Sequence, residues 1–358
     1  MASPLRLPTL LTGRLYPTAP LPYRPPRQHP DMAWDEIIDR HRAALAAERA
    51  ARPRPWTTES LEAAIAEATT RAVRLQTGRV DLLGSGGVSL DEPARAAARW
   101  LRGVTLEPAL LVPTEWVDEA ARPIVKSPPA LNDERLFRRT WAAAQAATTR
   151  PVKLSLPGPL SLACAFDDDV HGSDRAASVR ALAAAFNPGL RALADAGCPA
   201  IEIVEPELAT GDAPVDPDEI DSLGRLFHRV DQGCVRWLRL AAEDAAPPWR
   251  AALAPRAPGS WVDALNELPL NGVICPLDSP LAEPETLARL DRLRIGLVVV
   301  SADAASRDSV DRAAAMLSAV ASTLDPLRLV CAIDGGWARA TRPLDERLDW
   351  LEEVVRAF

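Results

Sequence analysis

The sequence has no excess of positive charge, no long apolar run and no cysteine framework, and each absence removes a class of function. Its 41 Lys and Arg stand against 49 Asp and Glu, a net charge of −8. A nucleic-acid binder needs a basic face to neutralise phosphates, so that class is disfavoured. A peripheral protein on anionic lipid needs the same face and is disfavoured with it. No apolar stretch reaches the length that crosses a bilayer. The segment from Met1 to Pro20 has no charged start leading into an apolar stretch, so a secretory signal is not expected. The five cysteines, Cys164, Cys198, Cys234, Cys275 and Cys331, are odd in number and widely spaced. They read as free thiols of a reducing cytoplasm, not as a disulfide set. The four histidines, His29, His41, His171 and His228, lack the spacing of metal ligands.

What is present is an ordinary globular balance, 47% hydrophobic and 25% charged. Richness in Ala, Arg and Pro hints at a bacterial genome of high GC content. No internal repeat or low-complexity tail interrupts the chain, so residues 1–358 read as one domain of the size a single α/β barrel occupies. Residues 1–30 read as a Pro-rich arm that carries the first strand.

Short apolar runs alternate with helical patterns, the signature of βα units around a parallel sheet. The expected strands are Leu7–Leu11, Val80–Leu83, Val152–Leu156, Ala200–Val204, Arg250–Leu253, Gly272–Cys275, Ile295–Val300 and Arg328–Ile333. The helical patterns are Trp34–Ala51, Thr58–Gln76, Glu134–Ala147, Asp174–Ala196, Pro217–Ala242, Ser260–Leu265, Glu283–Leu293, Ser309–Ser322 and Asp345–Phe358. Eight strands, each followed by a helix, predict a closed (β/α)8 barrel with extra N-terminal helices. The segment 103–113 breaks the alternation and predicts a hairpin or lid between the second and third barrel strands.

Several motifs, in order, resemble the catalytic barrel of the cobalamin-independent methionine synthase family, within the methionine synthase and uroporphyrinogen decarboxylase superfamily. Leu11-Thr12-Gly13-Arg14-Leu15-Tyr16-Pro17 is similar to the family's Gly-Ser-Phe-Pro opening. Gln76 followed by Val80-Asp81-Leu82-Leu83 resembles its helix ending in Gln before a strand. Leu156-Pro157-Gly158-Pro159-Leu160-Ser161 is close to its Thr-Gly-Pro-Val-Thr turn. Ile201-Glu202-Ile203-Val204-Glu205-Pro206-Glu207-Leu208 is similar to Ile-Gln-Ile-Asp-Glu-Pro-Ala-Leu. Asp334-Gly335-Gly336 resembles the final Asp-Cys-Gly turn.

The resemblance implies a barrel that moves a methyl group from a folate to a zinc-bound thiolate, held by a His-x-Cys pair, a Glu and a Cys. Alignment by the expected strands puts Leu253 and Pro255, Leu277 and Gly335 at those positions, so zinc is not expected and no metal ligand is assigned. Cys275, Asp278 and Cys331 are the one rearranged metal set the pattern allows; buried apolar thiols are the plainer reading of both cysteines. The amino-acid pocket also departs, with Arg14, Gly87, Val204 and Ser301 at its positions.

A barrel places its site at the C-terminal strand ends. The catalytic candidates are therefore Glu205, Asp334, Asp278 and Ser301. The ligand-binding candidates are Arg14, Tyr16, Ser85, Pro157, Gly158, Ser161, Glu202 and Glu207. Glu205 also reads as a structural carboxylate that accepts turn N–H groups, and Asp334 as an Asx cap. Asp167-Asp168-Asp169 beside His171 reads as a solvated loop. Three functions follow: a divergent methyltransferase-like enzyme binding a folate, pterin or other small molecule; a non-catalytic barrel that binds a ligand or stabilises a partner protein; and a decarboxylase of an acidic macrocycle, for which Arg14 and Arg256 would supply the cationic face. A second copy of the chain is the other partner considered.

Overall fold

The computed structural model describes residues 7–12, 58–85, 93–107, 122–210, 215–240, 257–300, 307–334 and 344–357. In chain order the strands are β1 (Thr9–Thr12), β2 (Leu83–Gly84), β3 (Leu101–Glu107), β4 (Arg122–Leu131), β5 (Val152–Pro157), β6 (Asp167–Asp168), β7 (Ala200–Val204), β8 (Val235–Arg239), β9 (Gly272–Pro276), β10 (Arg294–Val300) and β11 (Leu329–Asp334). The α-helices are α1 (Thr58–Gln76), α2 (Pro93–Trp100), α3 (Leu136–Gln145), α4 (Pro159–Ala165), α5 (Arg175–Asp195), α6 (Pro206–Ala209), α7 (Pro217–Gly224), α8 (Ser260–Ala264), α9 (Pro284–Ala288), α10 (Arg307–Ala321) and α11 (Leu344–Ala357). None is long and apolar enough, among the described residues, to cross a membrane.

Eight parallel strands follow one another in the order β1-β11-β10-β9-β8-β7-β5-β2. The ring closes between its two ends. Leu10 bridges Leu82 in parallel, and the N–H groups of Asp81 and Leu82 both donate to the Thr9 carbonyl at 3.0 and 3.1 Å. The Asp81 carboxylate completes the seam by accepting from Thr9 N–H and Oγ1 at 2.9 and 3.0 Å. The fold is the expected (β/α)8 barrel.

Alternation along each strand divides its side chains between two cores. Leu10, Ala200, Trp237, Ile274, Val298, Val330 and Ala332 pack together inside the ring. Their neighbours of opposite parity, Leu154, Ile201, Leu238, Val273, Leu297 and Cys331 among them, join the larger core between sheet and helices. The Trp237 ring fills the interior beside β9: a Cβ on Gly272 would come within 2.3 Å of it.

One expectation is overturned. The fifth barrel strand is β8, Val235–Arg239, lying between β7 and β9. The pattern expected a helix over Pro217–Ala242 there, but α7 ends at Gly224 and a short 3-10 turn ends at Phe227. The physical reason is that Arg236 and Arg239 are three residues apart, a spacing that puts both on one face of a helix but on opposite sides of a strand, so the local pattern reads as helical although β7 and β9 pair this segment as a strand. The expected strand Arg250–Leu253, the helix Trp34–Ala51 and the arm Pro17–Pro30 lie outside the described residues.

The predicted hairpin exists and is larger than 103–113: β3 pairs antiparallel with β4, out to Leu101↔Leu131. Gly103, at φ +85°, allows the strands to close, since a Cβ there would meet Ser127 O at 2.6 Å. Trp100, Phe137 and Phe186 fasten the hairpin's base to α3 and α5, with Phe137 edge-on to both at 5.6 and 5.5 Å.

Candidate functional site

Charge lies inside the barrel, where strands of apolar parity carry five polar residues. Lys153 and Ser155 on β5, Glu202 on β7, Arg239 on β8 and Asp334 on β11 share the inward parity of Ala200, Trp237 and Ala332. Lys153 and Glu202 form an ion pair that is fully buried on both sides. Ser155 Oγ donates to the other Glu202 oxygen at 2.9 Å and lies 3.4 Å from Lys153 Nζ. Arg239 Nη2 donates to Asp334 Oδ1 at 3.1 Å, and Arg347 of α11 donates to the Asp334 carbonyl at 2.6 Å. Both Arg239 and Asp334 are the last residues of their strands, so this second pair spans the mouth end of the barrel.

Burial by itself drives the Glu202 carboxyl up, but the charges of Lys153 and Arg239, with hydrogen bonds from Lys153 and Ser155, more than offset it and hold the group below its ordinary value. Glu202 is therefore an ionised carboxylate in an apolar ring, tolerable only because Lys153 is in contact and the Arg239 charge is near.

At the rim a second glutamate is held differently. Glu205 follows β7 and is buried completely. Its Oε1 accepts from Leu160 N–H at 2.9 Å, and its Oε2 accepts from Ser161 N–H and Oγ at 2.8 and 2.7 Å. It caps the start of α4, whose first turn otherwise leaves these donors open. The Pro157-Gly158-Pro159 turn makes this approach physically possible: a Cβ on Gly158 would lie 2.0 Å from the Glu205 carboxyl carbon. Burial pushes the Glu205 carboxyl up to about 7, against the three donors, with the nearby charge of Glu207 adding to the rise.

The sequence candidates thus separate. Glu202 and Asp334 belong to the interior network; Glu205, Pro157, Gly158 and Ser161 form the rim cap; and Glu207 stands half-buried beside it on α6. Ser85 is buried at the end of β2, where its N–H donates to the Lys153 carbonyl at 3.1 Å. Asp278 is exposed in the turn after β9. It does not meet Cys275 and Cys331, which lie in the outer core with β10 between them. Arg14, Tyr16 and Ser301, with Arg256, lie outside the described residues. Among the described residues no three His, Cys, Asp or Glu side chains gather as a metal site would require.

One motif differs from its expected role, and another acquires one. Asp168 is not solvated: it accepts from Val170 and His171 N–H, from His171 Nδ1 and from Ser178 Oγ at 2.6–2.9 Å, anchoring the turn before α5. Gln76 reads both backbone groups of Gly84, accepting from its N–H at 2.7 Å and donating to its carbonyl at 3.0 Å. Sequence reasoning missed Lys153, Ser155 and Arg239. The signal was there, since a charge inside an apolar strand such as Val152–Pro157 must point at a partner.

The fold and its interior define a (β/α)8 barrel with a charged centre opening at the C-terminal strand ends. The family model for the cobalamin-independent synthase catalytic domain matches residues 41–221, just over half of the chain. The chain belongs to that family. No curated protein matches it. Among solved structures it is similar to a B12-independent methionine synthase from Shewanella sp. W3-18-1 in complex with selenomethionine, at 18% identity and TM-score 0.72 over 98% of this chain and 97% of that one. It is also similar to a Listeria monocytogenes structural-genomics target assigned to the vitamin-B12-independent methionine synthases, at 15% identity and TM-score 0.61 over 91% and 93% of the two chains. A methyltransferase from Methanosarcina mazei follows at 12% identity and TM-score 0.54, over 98% and 94%. At these identities the structures establish the shared fold.

Proposed function

We propose that this chain is a divergent, methyltransferase-like barrel of its family that binds a small polar molecule, such as a pterin, at the mouth and does not run zinc-dependent thiol methylation. The Arg239–Asp334 pair carries the reading. The resemblance implies metal ligands at the ends of late barrel strands, and the fifth of these ends is Arg239; Leu253 and Pro255 follow it in the chain. The fifth and eighth ends are joined by a guanidinium and a carboxylate 3.1 Å apart. A guanidinium offers no lone pair, and its fixed charge repels a divalent cation at close range. That no three His, Cys, Asp or Glu side chains gather among the described residues supports the same reading.

The polar centre and the capped Pro157-Gly158-Pro159 turn support a ligand site at the mouth, where Asp334, partly exposed at the end of β11, is the polar group open to an entering molecule. The similar Shewanella barrel was solved with a bound amino acid, selenomethionine, so a barrel of this kind holds molecules of that size.

Elemental analysis of purified protein and a calorimetric titration with folate test the proposal together. No stoichiometric zinc, with measurable folate or pterin binding, is expected. Stoichiometric zinc overturns it. Neither zinc nor binding moves the reading to a non-catalytic barrel that stabilises a partner.

A further inference from the structure

Four of the thiols form two contrasting pairs. Cys275 on β9 and Cys331 on β11 both register with Leu297 of β10, which lies between them. Two strand spacings come to about 9.5 Å, beyond the roughly 7 Å that a disulfide spans between Cα atoms. Burial pushes both thiols up to about 12, which leaves them protonated and inert.

Cys198 and Cys234 are placed otherwise. Cys198 lies two residues before β7 and Cys234 directly before β8, neighbouring strands whose first residues, Ala200 and Val235, are register partners. The Val235 N–H donates to the Pro199 carbonyl at 2.9 Å, which ties the two approaches together. Both thiols are buried, like the first pair, and Cys198 Sγ donates to the Ala200 carbonyl at 3.2 Å; what sets this pair apart is that the two side chains sit at the starts of adjacent strands. Contact with Cys198 lowers the Cys234 thiol, opposed by burial and aided by the Arg236 charge; contact with Cys234 and burial push Cys198 up. Each adjoins exposed chain, Gly197 on one side and Asp231–Gly233 on the other, at the barrel end opposite the mouth.

We propose that Cys198 and Cys234 are a redox-active dithiol that closes to a disulfide between the starts of β7 and β8, with a low-molecular-weight disulfide of the glutathione class as oxidant. Cys234 Sγ, on giving up its proton, attacks one sulfur of the oxidant and expels the other as thiolate, which takes up a proton. Cys198 then gives up its proton, attacks Cys234 Sγ and displaces the second thiol. The protein dithiol loses two electrons and two protons, and the oxidant's S–S bond becomes two thiols.

The test equilibrates the natively folded full chain with glutathione buffers of stepped ratio, quenches by alkylation and maps peptides without reduction. Expected is a Cys198–Cys234 cross-link, with Cys164, Cys275 and Cys331 still alkylated. Cys234→Ser removes both cross-link and adduct. Cys198→Ser traps one glutathione on Cys234, because the resolving thiol is gone. Five alkylated thiols after equilibration, a cross-link between any other pair, or a cross-link that forms only in urea overturns the proposal. The wild-type map decides the matter should either variant fail to fold.

Discussion

The barrel interior and its rim each bury one glutamate of the same short segment, and the two behave oppositely. Glu202 and Glu205 are three residues apart and both are wholly excluded from water. Glu202 meets full charges, Lys153 in contact and Arg239 nearby, and is held below the ordinary carboxylate range. Glu205 meets only neutral donors, two N–H groups and a hydroxyl, and burial takes it up to about 7. Burial is common to both, so it does not set the sign. The charge of the partners does, because a counter-ion in low dielectric repays desolvation that a neutral donor repays only in part.

The largest effect that tests this contrast is removal of one charge from the interior. Glu202→Ala leaves Lys153 buried without its carboxylate, and Lys153→Ala leaves Glu202 without its nearest cation. Each is expected to lose about 3–5 kcal/mol in urea unfolding. Lys153→Met with Glu202→Leu removes both charges at similar volume and should be more stable than either single variant. Single losses under about 1 kcal/mol would show that the interior pair is not desolvated as its burial indicates.

The next effect is the pH dependence that separates the two glutamates. Glu205 has a folded value of about 7 against an ordinary 4.5, so between those values the folded state holds more protons than the unfolded. Its contribution is present below pH 4.5 and is lost as pH rises to about 7, by at most about 3 kcal/mol. Glu202 has the opposite sign: its contribution is present above the ordinary carboxylate value and is lost on acidification. Stability curves of wild type and Glu205→Gln should therefore diverge in slope between pH 4.5 and 7, with the variant flatter. Parallel curves across that window would reject the raised value.

What the sequence reveals follows the same division. The barrel is legible because each βα unit announces itself locally, and α1, Thr58–Gln76, is found at its expected bounds. The rim is legible as a motif, since Gly158 and Glu205 are required by one close approach. The interior is not. Lys153, Glu202, Arg239 and Asp334 come from four strands, and nothing local says that 153 meets 202 or that 239 meets 334. Misreading β8 as helix removed Arg239 from the inward set altogether. A charge at inward parity in an apolar strand was the available clue, and it names a partner's existence without naming the partner.

The smallest expected effect asks whether distance or burial makes the interior pairs count. Arg139 and Asp133 approach to 2.8 Å on the surface, with side chains 65% and 39% exposed. That is closer than the 3.1 Å between Arg239 and Asp334, whose side chains are 1% and 15% exposed. Water and salt screen the first pair, and two mobile side chains must be ordered to form it, so Arg139→Ala should cost no more than about 0.5 kcal/mol and less at high salt. Arg239→Ala, which leaves the partly buried Asp334 carboxylate without that donor, should cost several-fold more and change little with salt. If the two variants instead lose similar amounts, separation rather than burial governs ion pairing here, and the Arg239–Asp334 pair loses its claim to set the character of the mouth.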